Sequence, residues 1–323
     1  MAKLKAIVTR RWPEEVERKL GELFDVQLNK DDRPMTVAEL QDALRSADVV
    51  MPTVSDRITS EVLSAEPMRC KILGNFGVGF NHIDIKAARE RGVAVTNTPA
   101  VLTDCTADIA MTLMLMAARR AGEGERHVRT KAWTGWRPTH MMATKVTGKT
   151  LGLLGLGRIG KAMAKRAHHG FDMPVLFHDP YPPSAEEQKA LGATRCESIE
   201  EVLAKSDFVS LHCPATPETR HLMNADRFKQ MKRSAILINT ARGDVVEEKA
   251  LIQALKDGTI AAAGLDVYEF EPKVSEELLT LENVVLLPHL GSASRETRVA
   301  MGMRVIDNVT AFFAGKVPGD RVA

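Results

Sequence analysis

Cysteine is scarce: the 323 residues hold four, Cys70, Cys105, Cys196 and Cys213, too far apart for any paired spacing. That scatter argues against a disulfide framework and against a zinc site, and it fits a reducing cytoplasm. No apolar run approaches the roughly 20 residues that span a bilayer, so no membrane segment is expected. The opening Met1-Ala2-Lys3-Leu4-Lys5 passes into a short strand pattern without the apolar stretch of a signal peptide, which again predicts a cytoplasmic location. Neither sign of charge dominates. Lys and Arg number 44 against 42 Asp and Glu, intermixed along the chain, for a formal net charge of +2. With no basic stripe, nucleic acid is not an expected partner. Fixed short repeats and low-complexity segments are absent too. What remains is an ordinary globular composition, 44% apolar and 27% charged, at a length that favours two domains.

Short β-branched runs alternate with longer amphipathic segments in two stretches. The first has strand patterns at Ala6-Ile7-Val8, Val49-Val50-Met51, Lys71-Ile72-Leu73 and Val93-Ala94-Val95, with helical patterns over Pro13 to Leu23 and Thr36 to Ser46. It ends near Asn97-Thr98-Pro99. A helix rich in Ala, Met and Leu follows from about Thr103 to Arg120, and such a helix must be covered by its own chain or by a partner. Trp133 to Gly148 has no period and reads as a loop or arm. From Lys149 a more regular unit begins, with strands expected at Thr150–Leu154, Val175–His178, Phe208–Leu211, Ala235–Asn239, Ala261–Leu265 and Val284–Leu287. Intervening helices argue for a mainly parallel, doubly wound sheet. A last helix is expected over Arg295 to Ala314.

The most specific local motif is Gly155-Leu156-Gly157-Arg158-Ile159-Gly160, which follows a strand pattern and opens a helix pattern. Gly155 permits a tight turn, Gly157 lets the backbone approach a pyrophosphate, and Gly160 allows close helix–strand packing. The amides that open the helix would meet the diphosphate. Asp179, at the end of the next strand, is the acidic residue expected to accept hydrogen bonds from the adenosine ribose. Its charge would repel a 2′-phosphate, and no arginine stands beside it, so NAD(H) is expected over NADP(H).

Hydride transfer to a carbonyl also needs an acid for the new alkoxide and a cation to polarise and orient the substrate. Arg242 in Asn239-Thr240-Ala241-Arg242-Gly243, Glu271 in Asp266-Val267-Tyr268-Glu269-Phe270-Glu271-Pro272, and His289 after Leu286-Leu287-Pro288 all follow successive strand patterns of one domain. Singly, each has a plain alternative: a salt-bridging Arg, a solvated Glu, a structural His. Their joint placement after successive strands favours a site.

These residues, with Asn75-Phe76-Gly77-Val78-Gly79-Phe80-Asn81-His82-Ile83-Asp84, Leu211-His212-Cys213-Pro214-Ala215-Thr216-Pro217 and Pro288-His289-Leu290-Gly291, resemble the D-isomer-specific 2-hydroxyacid dehydrogenase family over essentially the whole chain. Within it, the chain is most like the bacterial glyoxylate/hydroxypyruvate reductases. The resemblance implies an α/β fold of two Rossmann-like doubly wound domains. Residues 1–98 and 291–323 would form a discontinuous substrate domain, completed by the C-terminal helix, and 99–290 the NAD-binding domain. It implies that His289 is the general acid in reduction, that Glu271 orients and charges it, and that Arg242 grips the substrate carboxylate and carbonyl oxygen. Val78 and Gly79 would offer amides to that carboxylate, with Thr53 and Val54 nearby. Thr106 and Asp266 would lie near the nicotinamide carboxamide, and Cys213, Pro214, Thr240, Ala241 and Gly291 along the cofactor wall, with Arg158 and Ile159 in the glycine loop. A homodimer is implied, with the helix from Thr103 and the following arm at its interface.

The expected activity is therefore NADH-dependent reduction of glyoxylate or hydroxypyruvate to the D-2-hydroxy acid. Phosphoglycerate dehydrogenase is a rival, although added phosphate-binding cations and a regulatory extension are not seen. Glu271 argues against formate dehydrogenase, which pairs Gln with His. A non-enzymatic NAD-sensing corepressor is the rival from another class, without the long tails expected of one. His140 takes a position that is often aromatic in related reductases, and Asn81 one that is often Asp. His168-His169 reads as a solvated helix end, and Met111 to Met116 and Met141-Met142 as packing, rather than as metal ligands.

Overall fold

In a computed structural model that describes residues 3–323, the chain forms two compact units. One comprises the chain up to Leu102 together with Ala293–Ala323, the other Thr103–Ser292. In chain order the first unit begins with β1 (Lys5–Val8), α1 (Glu14–Leu23), β2 (Asp25–Gln27), α2 (Val37–Ser46), β3 (Val49–Met51), α3 (Ser60–Leu63), β4 (Ile72–Gly74), α4 (Ile85–Glu90) and β5 (Ala94–Thr96). The second follows with α5 (Thr103–Ala118), α6 (Ala121–Arg129), β6 (Leu151–Leu154), α7 (Arg158–Phe171), β7 (Val175–His178), α8 (Ala185–Ala190), β8 (Ala193–Arg195) and α9 (Ile199–Lys205). It continues through β9 (Phe208–Leu211), α10 (Ala225–Gln230), β10 (Ile236–Asn239), α11 (Glu248–Lys256), β11 (Ala262–Leu265), α12 (Glu276–Leu279) and β12 (Val284–Leu286). The last helix, α13 (Arg295–Phe313), belongs to the first unit.

The first unit holds a five-stranded sheet in the order β2-β1-β3-β4-β5, every pair parallel. Both faces are covered, one by α2 and α3 and the other by α1 and α13, which is why β3, β4 and β5 are buried throughout. The C-terminal segment closes the β5 edge: Val322 N donates to Val95 O at 2.8 Å and Val95 N to Ala323 O at 3.1 Å. Asp320 fastens that segment, accepting from Arg304 Nε at 2.5 Å and Asn308 Nδ2 at 2.9 Å.

The second unit holds a seven-stranded parallel sheet, β12-β11-β10-β9-β6-β7-β8. Its four central strands, β6, β9, β10 and β11, are buried at every residue. The order reverses between β6 and β9, and that switch point is where a doubly wound sheet opens a crevice for a ligand.

Several expectations change. β2 and β8 were not expected; each is three residues long, at a sheet edge and mostly exposed, so neither carries an apolar run. The helix expected to reach Arg120 stops at Ala118, because Arg120 takes a left-handed conformation (φ 52°) and α6 restarts after it. The apolar content of α5 needs no partner to explain it. Eight of its sixteen residues are buried, and they pack on the sheet of their own unit beside α7. The units part at Leu102 and Ser292, a few residues beyond the expected 98 and 290.

Candidate active site

In a parallel sheet every strand ends on the same edge, so the loops after β6, β7, β9, β10, β11 and β12 collect there. The glycine loop follows β6. Gly155 has φ 97°, and a Cβ there would stand 2.8 Å from Cys213 N in the loop after β9, so only glycine fits at the switch point. At Gly160 a Cβ would meet Gly155 O at 2.5 Å, which keeps α7 tight against the turn. Gly157, by contrast, faces open space, and as N-cap of α7 it supplies no side-chain cap to the helix amides. Asp179, after β7, pins this loop: its carboxylate accepts from Leu156 N at 2.6 Å and Tyr181 N at 2.8 Å.

After β9, His212 hydrogen-bonds Ser210 Oγ at 2.9 Å, and burial pushes its pKa down to about 4, so the ring is neutral near pH 7. Beside it, burial pushes the Cys213 thiol up to about 11, with Asp179 and Asp244 adding to the shift, which disfavours the thiolate. After β10, the buried Asn239 side chain builds the turn that presents Arg242. Its Oδ1 accepts from Ala241 N at 3.0 Å and its Nδ2 donates to Arg242 O at 2.9 Å. Thr240 lies in the same turn, 7% exposed, and its Oγ1 has no hydrogen-bond partner among the described residues.

Arg242 is half-buried, and its Nη1 donates to Ala241 O at 2.6 Å. Burial pushes its pKa down while the Glu271 and Asp244 charges pull it up; a guanidinium stays charged through such a shift. After β11, Glu271 Oε1 accepts from Tyr268 N at 3.0 Å, and Oε2 lies 2.9 Å from His289 Nδ1. Burial alone would raise the Glu271 pKa, but the hydrogen bond and charge of His289, the Tyr268 amide and Arg242 together bring it below its ordinary value. The carboxylate is thus held ionised against the ring.

His289 itself has φ 56°, and its amide donates to Asp266 O at 2.9 Å. The Asp266 side chain, 1% exposed, accepts from Leu290 N at 2.6 Å and Gly291 N at 2.7 Å. Burial raises its pKa despite those amides and the nearby His289 charge. Thr106 Oγ1 donates to Gly291 O at 2.8 Å. Asp266 and Thr106 therefore shape the turn that carries His289. With Nδ1 bonded to Glu271, Nε2 is the ring atom left for a reacting group.

The first unit has its own arrangement after β4. Asn75 Nδ2 donates to the carbonyls of Gly77 and Gly79 at 3.1 and 3.0 Å, Asn97 Nδ2 to Val78 O at 2.8 Å, and Thr98 N to Gly77 O at 3.0 Å. With these carbonyls tied, the amides of Val78 and Gly79 make no hydrogen bond among the described residues. Thr53 is held by Asp56, its amide donating to Oδ2 at 2.8 Å, and Val54 is exposed.

The second unit thus gathers Gly155, Gly157, Arg158, Ile159, Gly160, Asp179, Cys213, Pro214, Thr240, Ala241, Arg242, Asp266, Glu271, His289 and Gly291 along one sheet edge, while Thr53, Val54, Val78 and Gly79 belong to the first. His140 lies apart from that edge, its Nδ1 3.1 Å from Arg137 Nη2 and its ring 5.2 Å from that of His127. His168 and His169 hydrogen-bond the carbonyls of Met173 and Ala190, and no metal-binding cluster occurs among the described residues. Met111 and Met114 are buried, but Met142 is 71% exposed, contrary to its expected packing role. Tyr268, His221, Glu248 and Glu269 join these loops without a sequence signal of their own, although Tyr268 and Glu269 lie within the stretch Asp266 to Pro272.

The residues present fit a dinucleotide. Gly157 leaves room beside a helix N-terminus, Asp179 stands at the next strand end, and Thr240 Oγ1 is a buried polar atom lacking a partner. Residues 111–291 match the NAD binding domain of the D-isomer specific 2-hydroxyacid dehydrogenases. The chain is 44% identical to the glyoxylate reductase of Korarchaeum cryptofilum over 322 residues, which cover 99% of this chain and 96% of that one. It is 39% identical to the glycerate dehydrogenase of Hyphomicrobium methylovorum, covering 98% of each. A solved structure from Polaromonas sp. JS6 66, assigned to the D-isomer specific 2-hydroxyacid dehydrogenases, matches with a TM-score of 0.93 at 36% identity, covering 99% of this chain and 100% of that one.

Proposed function

The chain belongs to the D-isomer specific 2-hydroxyacid dehydrogenase family, and on that premise we propose that it reduces glyoxylate or hydroxypyruvate with NADH, giving glycolate or D-glycerate. The observation that carries this reading is the Glu271–His289 pair at 2.9 Å, with Arg242 electrostatically coupled to Glu271 from the neighbouring strand end. The bound nicotinamide supplies the hydride; the residues named here bind, orient and protonate.

Arg242 pairs its planar donor fork with the carboxylate and carbonyl oxygen of the 2-oxo acid, turning the carbonyl and drawing charge onto its oxygen. His289 Nε2 donates its proton to the carbonyl oxygen as negative charge grows there, and takes it back in oxidation. Glu271, fixed at Nδ1, sets the ring orientation and favours the imidazolium. Asp179 receives the ribose hydroxyls, so NADH is preferred over NADPH.

The unit with α6 and the following arm also leaves Val128 (59%), Trp133 (53%), Trp136 (81%) and Met142 (71%) exposed, which supports a homodimer through this surface. Four unpaired cysteines and no helix among the described residues long and apolar enough to cross a membrane agree with a cytoplasmic location. The test is NADH oxidation with glyoxylate, hydroxypyruvate, 3-phosphohydroxypyruvate and pyruvate. Turnover with the first two at the highest kcat/KM is expected, and no turnover above background with any would overturn the reading.

A further inference from the structure

The loops that carry Arg242 and Glu271 leave neighbouring strands, β10 and β11, and are joined below the reacting groups. A 3-10 turn, Gly243–Val245, follows Arg242, and a Cβ on Gly243 would collide with the Tyr268–Glu269 peptide. No side chain can stand between these loops. Two buried carboxylates then bridge them: Glu248 N donates to Glu269 Oε2 at 3.1 Å, and Glu269 N to Glu248 Oε2 at 3.3 Å.

A third loop completes the joint. His221 donates from its amide to Asp244 O at 2.8 Å, and its ring Nε2 lies 2.7 Å from Glu269 Oε1. The residue is half-buried in a left-handed conformation (φ 50°), which turns its ring to the Glu271 loop while its backbone stays on the Arg242 loop. The Glu269 side chain is only 9% exposed and that of His221 33%, so this contact is partly shielded from water and from competing ions. Glu269 stands two residues before Glu271, whose carboxylate meets His289 at 2.9 Å.

We propose that His221 and Glu269 are positioning residues: a strut that fixes the Glu271 carboxylate, and through it His289, against Arg242. The inference rests on the roles given above to Arg242, Glu271 and His289. The strut touches neither substrate nor cofactor. It acts on the geometry of proton transfer, where a misplacement of about 1 Å costs on the order of 10²-fold in rate. Removing the His221 side chain leaves its amide bond to Asp244 in place, and removing that of Glu269 leaves this bond and the one from Glu269 N to Glu248 Oε2, so the Arg242 loop stays joined. The rate step should suffer while the binding steps do not.

The test compares His221→Ala and Glu269→Ala with His221→Gln, which keeps a donor at the bridging atom, and with His289→Ala as control. Steady-state kinetics with glyoxylate and NADH, NADH fluorescence titration and thermal unfolding are measured on each. The expected result is a fall in kcat of about 10-fold or more in the Ala variants, with KM for glyoxylate and the NADH dissociation constant within about twofold. His221→Gln should recover most of the rate. Wild-type kcat in both folded Ala variants would overturn the strut. So would a His221→Gln variant as slow as His221→Ala, or a rate loss matched by an equal loss of NADH affinity. If His289→Ala also kept its rate, the proposed function itself would fail; if it lost its rate while the Ala variants did not, only the strut would.

Discussion

The two halves of the seven-stranded sheet meet at the β6–β9 switch point and do different work. On the β6–β7 side the apparatus is mostly space and backbone: a turn at Gly155 that admits no side chain, open room at Gly157, uncapped amides, and one carboxylate at Asp179. On the β10–β12 side it is charged side chains held by one another: Arg242, Glu271 and His289, with the turns of Arg242 and His289 built by the buried Asn239 and Asp266. A binding surface for a diphosphate can be made by leaving atoms out. A proton-transfer site cannot; it needs groups whose charge is set by their neighbours.

The sharpest way to break this division is His289→Ala. We expect a fall in turnover of roughly 10²- to 10⁴-fold, with NADH binding unchanged, in steady-state and fluorescence measurements. Arg242→Ala should follow, raising KM and lowering kcat together, for a loss in kcat/KM on the order of 10²-fold. Asp179→Ala probes the other half. The kcat/KM preference for NADH over NADPH should drop by about 10-fold, with kcat for glyoxylate little changed. A wild-type enzyme that already favours NADPH would remove the role given to Asp179.

The smallest expected effect comes from the boundary between the halves. His212 has a folded pKa of about 4 against an ordinary 6.5, so below pH 6.5 the unfolded chain binds a proton that the folded one refuses. Its contribution to stability is full above 6.5 and is lost as pH falls toward 4. Urea midpoints between pH 7 and 4.5 should decline less steeply in His212→Gln than in the wild type. Equal slopes would mean the ring is protonated in the folded state.

The same division decides what could be read from the sequence. The expected bounds of β7 and β9 match the observed elements residue for residue, because each opens on a short run of β-formers whose apolar members have only the covered sheet to bury against. The glycine loop was legible for a related reason: steric exclusion at Gly155 and Gly160 leaves a fixed spacing. Arg242, Glu271 and His289 were legible from pattern alone as residues after strands, and the Glu271–His289 hydrogen bond only through the family resemblance. The His221–Glu269 contact spans 48 positions and the Glu248–Glu269 exchange 21, with no periodicity to announce either. Nor did α6 announce itself: it starts after a left-handed Arg120, has no side-chain cap and buries no residue.

The division of labour is tested most directly by one NADH fluorescence titration on three proteins: wild type, His289→Ala and Gly155→Ala. An alanine at φ 97°, 2.8 Å from Cys213 N, strains or displaces the loop, and such strain corresponds to roughly a 10-fold or greater loss of NADH affinity. His289→Ala should bind NADH as the wild type does while failing to turn over glyoxylate. Wild-type affinity in Gly155→Ala, or lost affinity in His289→Ala, would contradict the assignment of binding to one half of the sheet and proton transfer to the other.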